Sequence, residues 1–277
     1  MARRFTLMFA VAVALSAAPA ARIFAQQAYT LTDVAAWVSG SHFSNSTIGI
    51  NASGQVAGTT TDATGASRAF RWTPSSPNAA SGALALLALP KGATGSDARA
   101  INSFGQVAGA AFNASKINAE RWEADGTITA LTSNADGFAI NDAGEVAGRA
   151  TGSGGSVRYP FLWVNGTTYN LSSQGAGWIV TGMNAIGQVL GWAQTNNNYS
   201  YIWTPTKPNG TSGASLQIPI QGNEIDDSAQ VAAESTQSPD PLLYNAATGV
   251  TTDLGMIASF NSGAPLVLTM SDRWLGM

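Results

Sequence analysis

The sequence predicts an all-β protein, a β-propeller of four-stranded blades of about 40–50 residues each. Three observations carry this. A ten-residue motif recurs five times, as Gly49-Ile-Asn51-Ala-Ser-Gly54-Gln-Val-Ala-Gly58 and at Asn102–Gly109, Asn141–Gly148, Asn184–Gly191 and, altered, Asp226–Ala233. Each copy is followed by an aromatic-ended segment and then by one bearing leucine or a close equivalent. No helical periodicity is read after residue 25, apart from a single possible turn at Asp33 to Trp37.

Within each copy the residue types set the elements. Asn at the first corner can bond its own backbone two residues on, and Gly three positions later can take φ > 0. Asn-x-x-Gly therefore reverses a hairpin through a type I turn. These positions are held by Asn51 with Gly54, Asn102 with Gly105, Asn141 with Gly144, and Asn184 with Gly187. The flanking residues, such as Arg99-Ala-Ile101 and Gln106-Val-Ala108, alternate in polarity as half-buried strands do. The third strand ends on Trp72, Trp122, Trp163, Trp203 or Tyr244. These recur once per copy, so they are read as packing between blades, each burial contributing on the order of 2–3 kcal/mol. The fourth strands are Leu84 to Leu89, Ile128 to Leu131, Tyr169 to Leu171, Leu216 to Ile218 and Thr251 to Leu254.

A Leu-type strand also precedes the first copy, as Tyr29 to Asp33, and the chain ends on Arg273-Trp-Leu-Gly276. Complementary pieces at the two ends suggest six blades, the closing blade shared by N- and C-terminal strands. A five-bladed ring with spare strands is the alternative, and an open β-solenoid the third reading.

The motif Ala-Ile-Asn-x-x-Gly-x-Val-x-Gly, then a Trp-ended strand, then a Leu strand, resembles the HAF repeat of bacterial extracellular proteins. The resemblance spans nearly all of residues 29–277. The His-Ala-Phe of that family is replaced by Arg68-Ala-Phe70, Asn118-Ala-Glu120, Tyr159-Pro-Phe161 and Ser200-Tyr-Ile202, with no His in any. The resemblance implies export and a propeller-like fold. It implies no defined activity and supplies no catalytic residues.

Composition narrows the partners. Only 10% of residues are charged, against about 25% in an average chain. The net charge is −3 and no basic patch is seen, which argues against nucleic acid. Cysteine is absent, so neither disulfides nor thiol chemistry enter. Residues 1–25 read as a signal peptide: Arg3 and Arg4, the apolar run Phe5 to Ala18, then small residues before Gln26. Sec and Tat routes both stay open. Cleavage leaves 10 basic and 16 acidic residues, net −6, and no later apolar run of membrane-spanning length. Residues 26–277 then form a single propeller domain, expected to be a monomer, secreted or periplasmic.

Candidate sites lie where the copies diverge. Trp178, Trp192, Asn197 and Tyr199 combine aromatic rings with an Asn-rich loop, a pattern suited to stacking on a sugar and bonding its hydroxyls. His42 is the sole histidine, and no Gly-x-Ser-x-Gly elbow accompanies it. The acids Glu120, Glu123, Asp125, Glu145, Glu224, Asp226 and Asp227 are possible glycosidase carboxylates, read chiefly as turn residues. No calcium loop is complete. The sequence thus offers no catalytic set, no metal site and no cofactor. It favours a binding or scaffolding module for an extracellular glycan or protein. Its ligand is expected where the variable loops Thr59–Ser67, Ala110–Asn118, Thr151–Arg158 and Ala193–Tyr199 gather on one rim. A carbohydrate-active hydrolase or lyase is the alternative, and a passive surface component the third.

Overall fold

The computed structural model describes residues 49–152, 155, 158–172, 177–193, 199–234 and 241–255. All lie in the compact unit Asp33–Met277. They form five four-stranded antiparallel sheets, each in chain order, and no helix. Blade 1 holds β1 (Gly49–Ile50), β2 (Val56–Thr61), β3 (Ser67–Pro74) and β4 (Gly82–Leu86). Blade 2 holds β5 (Gly95–Ile101), β6 (Val107–Phe112), β7 (Ile117–Trp122) and β8 (Ile128–Ser133). Blade 3 holds β9 (Ala135–Ile140), β10 (Val146–Thr151), β11 (Arg158–Val164) and β12 (Thr167–Asn170). Blade 4 holds β13 (Trp178–Met183), β14 (Val189–Ala193), β15 (Ser200–Pro205) and β16 (Gly213–Ile218). Blade 5 holds β17 (Gln221–Ile225), β18 (Gln230–Glu234), β19 (Pro241–Asn245) and β20 (Val250–Asp253).

The first strands of successive blades pack on one another, β1 on β5, β5 on β9, β9 on β13 and β13 on β17. Fourth strands such as β4 and β20 face solvent. Sheets stacked face to face in sequence, with first strands innermost, make a β-propeller. The strands expected at 29–33, about 266–270 and 273–276, on which the choice between five and six blades rests, lie outside the described residues, as does the expected signal segment 1–25.

The aromatic ending each third strand after the first packs against the preceding blade. Trp122 meets Ala57, Ala69 and Leu87 of blade 1. Trp163 and Phe161 meet Ala108, Ala119 and Leu131 of blade 2. Trp203 joins Trp178 and Val189 against Leu162 and Leu171 of blade 3. Tyr244 meets Leu190, Ile202 and Ile218 of blade 4. Trp72, in blade 1, packs with Val56 and Phe70. All five rings are buried.

The corners have a second role. Gly105 takes φ +78° and its N–H donates to Asn102 O, while Asn102 N donates to Gln106 O. Gly54, Gly144 and Gly187 repeat that turn, at φ +78°, +75° and +83°. Asn102 Oδ1 accepts from Phe104 N and Gln106 N. Its Nδ2 donates to Gln106 Oε1 and also to Asn141 O in the next blade, at 3.0 Å. Asn51 reaches Asn102 O, and Asn184 reaches Asp226 O, in the same way. One side chain thus forms the turn and latches two blades. Gly187, read from sequence as a turn residue alone, is also a point of close approach between blades 3 and 4. Its N–H donates to Asn184 O at 3.1 Å, as the turn requires. A Cβ on it would stand 3.0 Å from Glu145 Oε2 of the preceding corner and 3.1 Å from Asn209 Oδ1. Glycine is needed there for φ, and a side chain would also press on both of these groups.

Arginine adds to the latch in the first blades: Arg71 donates to Gly105 O and Arg121 to Gly144 O. The matching positions in blades 3 and 4 are the buried Leu162 and Ile202. The fifth corner keeps the turn without glycine, with Ala229 at φ +57°, a conformation that crowds Cβ and costs about 1 kcal/mol.

The inner strands of blades 2 to 5 each carry a one-residue bulge, which re-aims a side chain and raises the local twist. The inserted residues are Arg99, Phe138, Thr181 and Asn223.

Candidate functional site

Each first strand runs towards its corner, so it begins at the opposite rim, where the second-to-third-strand connections also lie. Around the middle of these strands blades 2 and 3 bring together a charged cluster. The bulge puts Arg99 over the Phe138 ring, with its guanidinium carbon 4.7 Å from the centroid. Arg149, on β10 opposite Asp136, approaches the same ring at 5.7 Å. Cations beside one ring exploit its quadrupole. Asp97 pairs with Arg99 at 3.7 Å and Asp136 with Arg149 at 3.5 Å. These side chains are only 12–28% exposed.

Burial raises the Asp97 carboxyl above its ordinary range, Arg99 opposes the rise and Asp136 adds to it. Arg99 Nε and Asp136 Oδ1 are buried with no hydrogen-bond partner. The cluster holds unspent donors and acceptors beside an aromatic surface. The equivalent positions of blades 4 and 5 hold Ile179 with Thr181 and Gln221 with Asn223, so the charged set is not part of the repeat.

A second departure lies on the third strand of blade 2. The residue paired across to Gly58, Gly109, Gly148 and Gly191 is Phe70, Glu120, Phe161 and Tyr201. The glycine leaves room for a ring: a Cβ on Gly148 would stand 2.7 Å from Phe161 Cε1. Blade 2 places a carboxyl there. Glu120 is 3% exposed, and its Oε2 has no hydrogen-bond partner. Burial pushes this carboxyl up to about 7.

The residues singled out by sequence are dispersed. Trp178 is 3% exposed and lies in the core, its ring 6.3 Å from Tyr201. Trp192 is half-buried and its indole N–H donates to Gly222 O at 2.6 Å. Tyr199 is at the surface, while Asn197 and His42 lie outside the described residues. Trp178 therefore presents little ring to a ligand. Among the acids, Asp125 and Asp226 cap turns, and Asp227 accepts from Ala185 N in the preceding blade. Glu123 accepts from Gln106, Arg121 and Thr129. Glu145 accepts from Asn141 Nδ2 in the third corner and lies against Gly187 of the fourth. Glu120 is on strand β7, as the third-strand reading has it, and Glu224 is on β17, the strand that runs into the fifth corner. Glu224 extends towards Gly182, where a Cβ would stand 2.6 Å from its Oε1, and burial pushes its carboxyl up to about 7. No group of three metal-ligating side chains occurs among the described residues.

Sequence reading missed the charged cluster because its members come from two blades and a bulge. Glu120 was visible on comparing the copies, since every other third strand from blade 1 to blade 4 has an aromatic there.

No family model and no curated protein matches the chain. Among solved structures, it is similar to virginiamycin B lyase from Staphylococcus aureus at 15% identity, over 78% of this chain and 73% of that one, with TM-score 0.49. It is similar to a chain of a nidogen/laminin complex at 11% identity, over 74% and 78%, with TM-score 0.48. It is also similar to a putative gluconolactonase at 14% identity, over 72% and 77%, with TM-score 0.40. With each of these TM-scores below 0.5, the sheets themselves rather than these likenesses establish the propeller.

Proposed function

We propose that this chain is a secreted or periplasmic propeller that binds an extracellular glycan or protein at the inner strands of blades 2 and 3. The carrying observation is the cluster of Asp97, Arg99, Asp136, Phe138 and Arg149, half-buried, polar and foreign to the repeat. A repeat fold needs only its shared positions; charges held at one place against burial are a departure that ligand contact explains. The export reading rests on Arg3, Arg4 and the apolar run to Ala18, and the HAF-repeat reading on the corner motif.

Binding of the mature protein to a glycan array and to immobilised cell-surface polysaccharide tests this reading. Arg99→Ala with Arg149→Ala should weaken binding by at least ~10-fold, the scale of a lost charge-assisted bond. Unchanged binding in the double variant would place the ligand elsewhere. The placing of Asp97 and Asp136 on packed neighbouring first strands favours a second reading, a hydrolase or lyase using that acid pair. Glycan turnover abolished by Asp97→Asn would replace the binding reading with the enzymatic one.

A further inference from the structure

The Glu120 position forms a recess separate in its residues from the charged cluster. Its volume is about 220 Å³, enough for a molecule of single amino-acid size. Glu120 lies at its wall with Pro90, Ala93, Phe112 and two lysines, Lys91 and Lys116. A carboxyl stands here where blades 1 and 3 hold Phe70 and Phe161, both at most 1% exposed. Phe112, the one ring at the recess, is instead drawn over Gly95, where a Cβ would stand 2.5 Å from its ring.

Charge is distributed unevenly around this space. Glu120 is buried and makes no hydrogen bond or ion pair with a described residue. Lys91 and Lys116 are exposed, and neither has an ion pair among the described residues. An unpartnered buried carboxyl is costly unless something compensates it. A cationic or donating group inside, with an anionic group at the lysines, would satisfy all three side chains at once.

We infer that this recess binds a small zwitterion of amino-acid size, its ammonium on Glu120 and its carboxylate on Lys91 and Lys116, with Phe112 as the apolar wall. This goes beyond the glycan or protein reading and uses none of its residues. Non-covalent capture is the whole of the step; no bond is made or broken.

The test is calorimetric titration and ligand-detected NMR on the mature full-length chain, with glycine, L-leucine, γ-aminobutyrate, N-acetylglycine and glucose as probes. At least one of the three amino acids should bind, and N-acetylglycine and glucose at least ~10-fold more weakly, because neither carries both ends of the charge pattern. Glu120→Gln and the pair Lys91→Ala with Lys116→Ala should each weaken binding by ~10-fold or more. Glu120→Phe, which restores the residue type of the other blades, should abolish it while leaving the far-ultraviolet spectrum unchanged. If that variant does not fold, Glu120→Gln and the lysine pair carry the comparison. Failure of all three amino acids to bind would overturn the inference. So would equal binding of glucose or N-acetylglycine, or binding indifferent to Glu120→Gln.

Discussion

Blades 2 and 3 have the same four-stranded plan, the same corner turn and the same Trp, yet they differ opposite the glycine of the second strand. Opposite Gly148, blade 3 places Phe161, wholly buried in the interface with blade 2. Opposite Gly109, blade 2 places Glu120, likewise buried and unbonded. The ring contributes to stability through contact; the carboxyl detracts from it and borders a recess. The propeller tolerates the second because each blade is held by many other contacts, among them the Asn102 latch and the Trp122 ring. A repeat protein can therefore host a destabilising side chain in one copy without losing the fold.

The sharpest way to break this contrast is to move it. Phe161→Glu should destabilise the protein by about 4 kcal/mol, the sum of a lost core ring and a buried unpaired acid. Urea denaturation followed by tryptophan fluorescence reads it. A loss below ~1 kcal/mol would mean the third-strand position is not an interface position.

The corners give the next test. Gly105 and Ala229 both sit at positive φ, at +78° and +57°. Gly105→Val should cost roughly 2–3 kcal/mol, since a β-branched residue there meets its own backbone. An unchanged melting temperature would refute the turn requirement.

The third test uses pH. Burial lifts Glu120 and Glu224 from 4.5 to about 7. Between about 4.5 and about 7 the folded chain holds protons that the unfolded chain releases. Stability should therefore fall as pH rises through that window and level off above it. Each acid contributes on the order of 1–2 kcal/mol after allowance for relaxation and solvent screening. Glu120→Gln should remove one part of the slope while Glu123→Gln leaves it in place. A pH-independent midpoint from 5 to 8 would mean that neither acid is desolvated.

The smallest effect is expected at the fifth corner. Ala229→Gly should raise stability by about 1 kcal/mol by relieving the left-handed strain that the other four corners avoid. Lowered stability there would show that the fifth corner is held by something other than its backbone geometry.

Much of the architecture was legible in the chain. Asn-x-x-Gly marks each reversal because its reasons are local: an amide that reaches two residues on and a glycine free to take positive φ. The once-per-copy aromatic, Trp in four copies and Tyr244 in the fifth, marks the third strand because a large apolar residue repeated at one position is explained by packing. The latch of Asn102 onto Asn141 O was not legible, since it depends on which blade lies next to which. The crowding of Gly187 by Glu145 and Asn209 was hidden for the same reason. Trp178 read as a candidate for stacking on a ligand and Arg99 as an ordinary strand residue. Packing of blade 4 on blade 3 buries the first, and a bulge in β5 turns the second towards Phe138.

The sequence by itself determined the strands, the corners and the repeat, since these follow from short-range geometry and hydrophobic alternation. Only the tertiary structure decided which side chains meet. The grouping of Asp97, Arg99, Asp136, Phe138 and Arg149, and the space left beside Glu120, arise from contacts between residues distant in the chain, and a one-residue bulge is enough to redirect them.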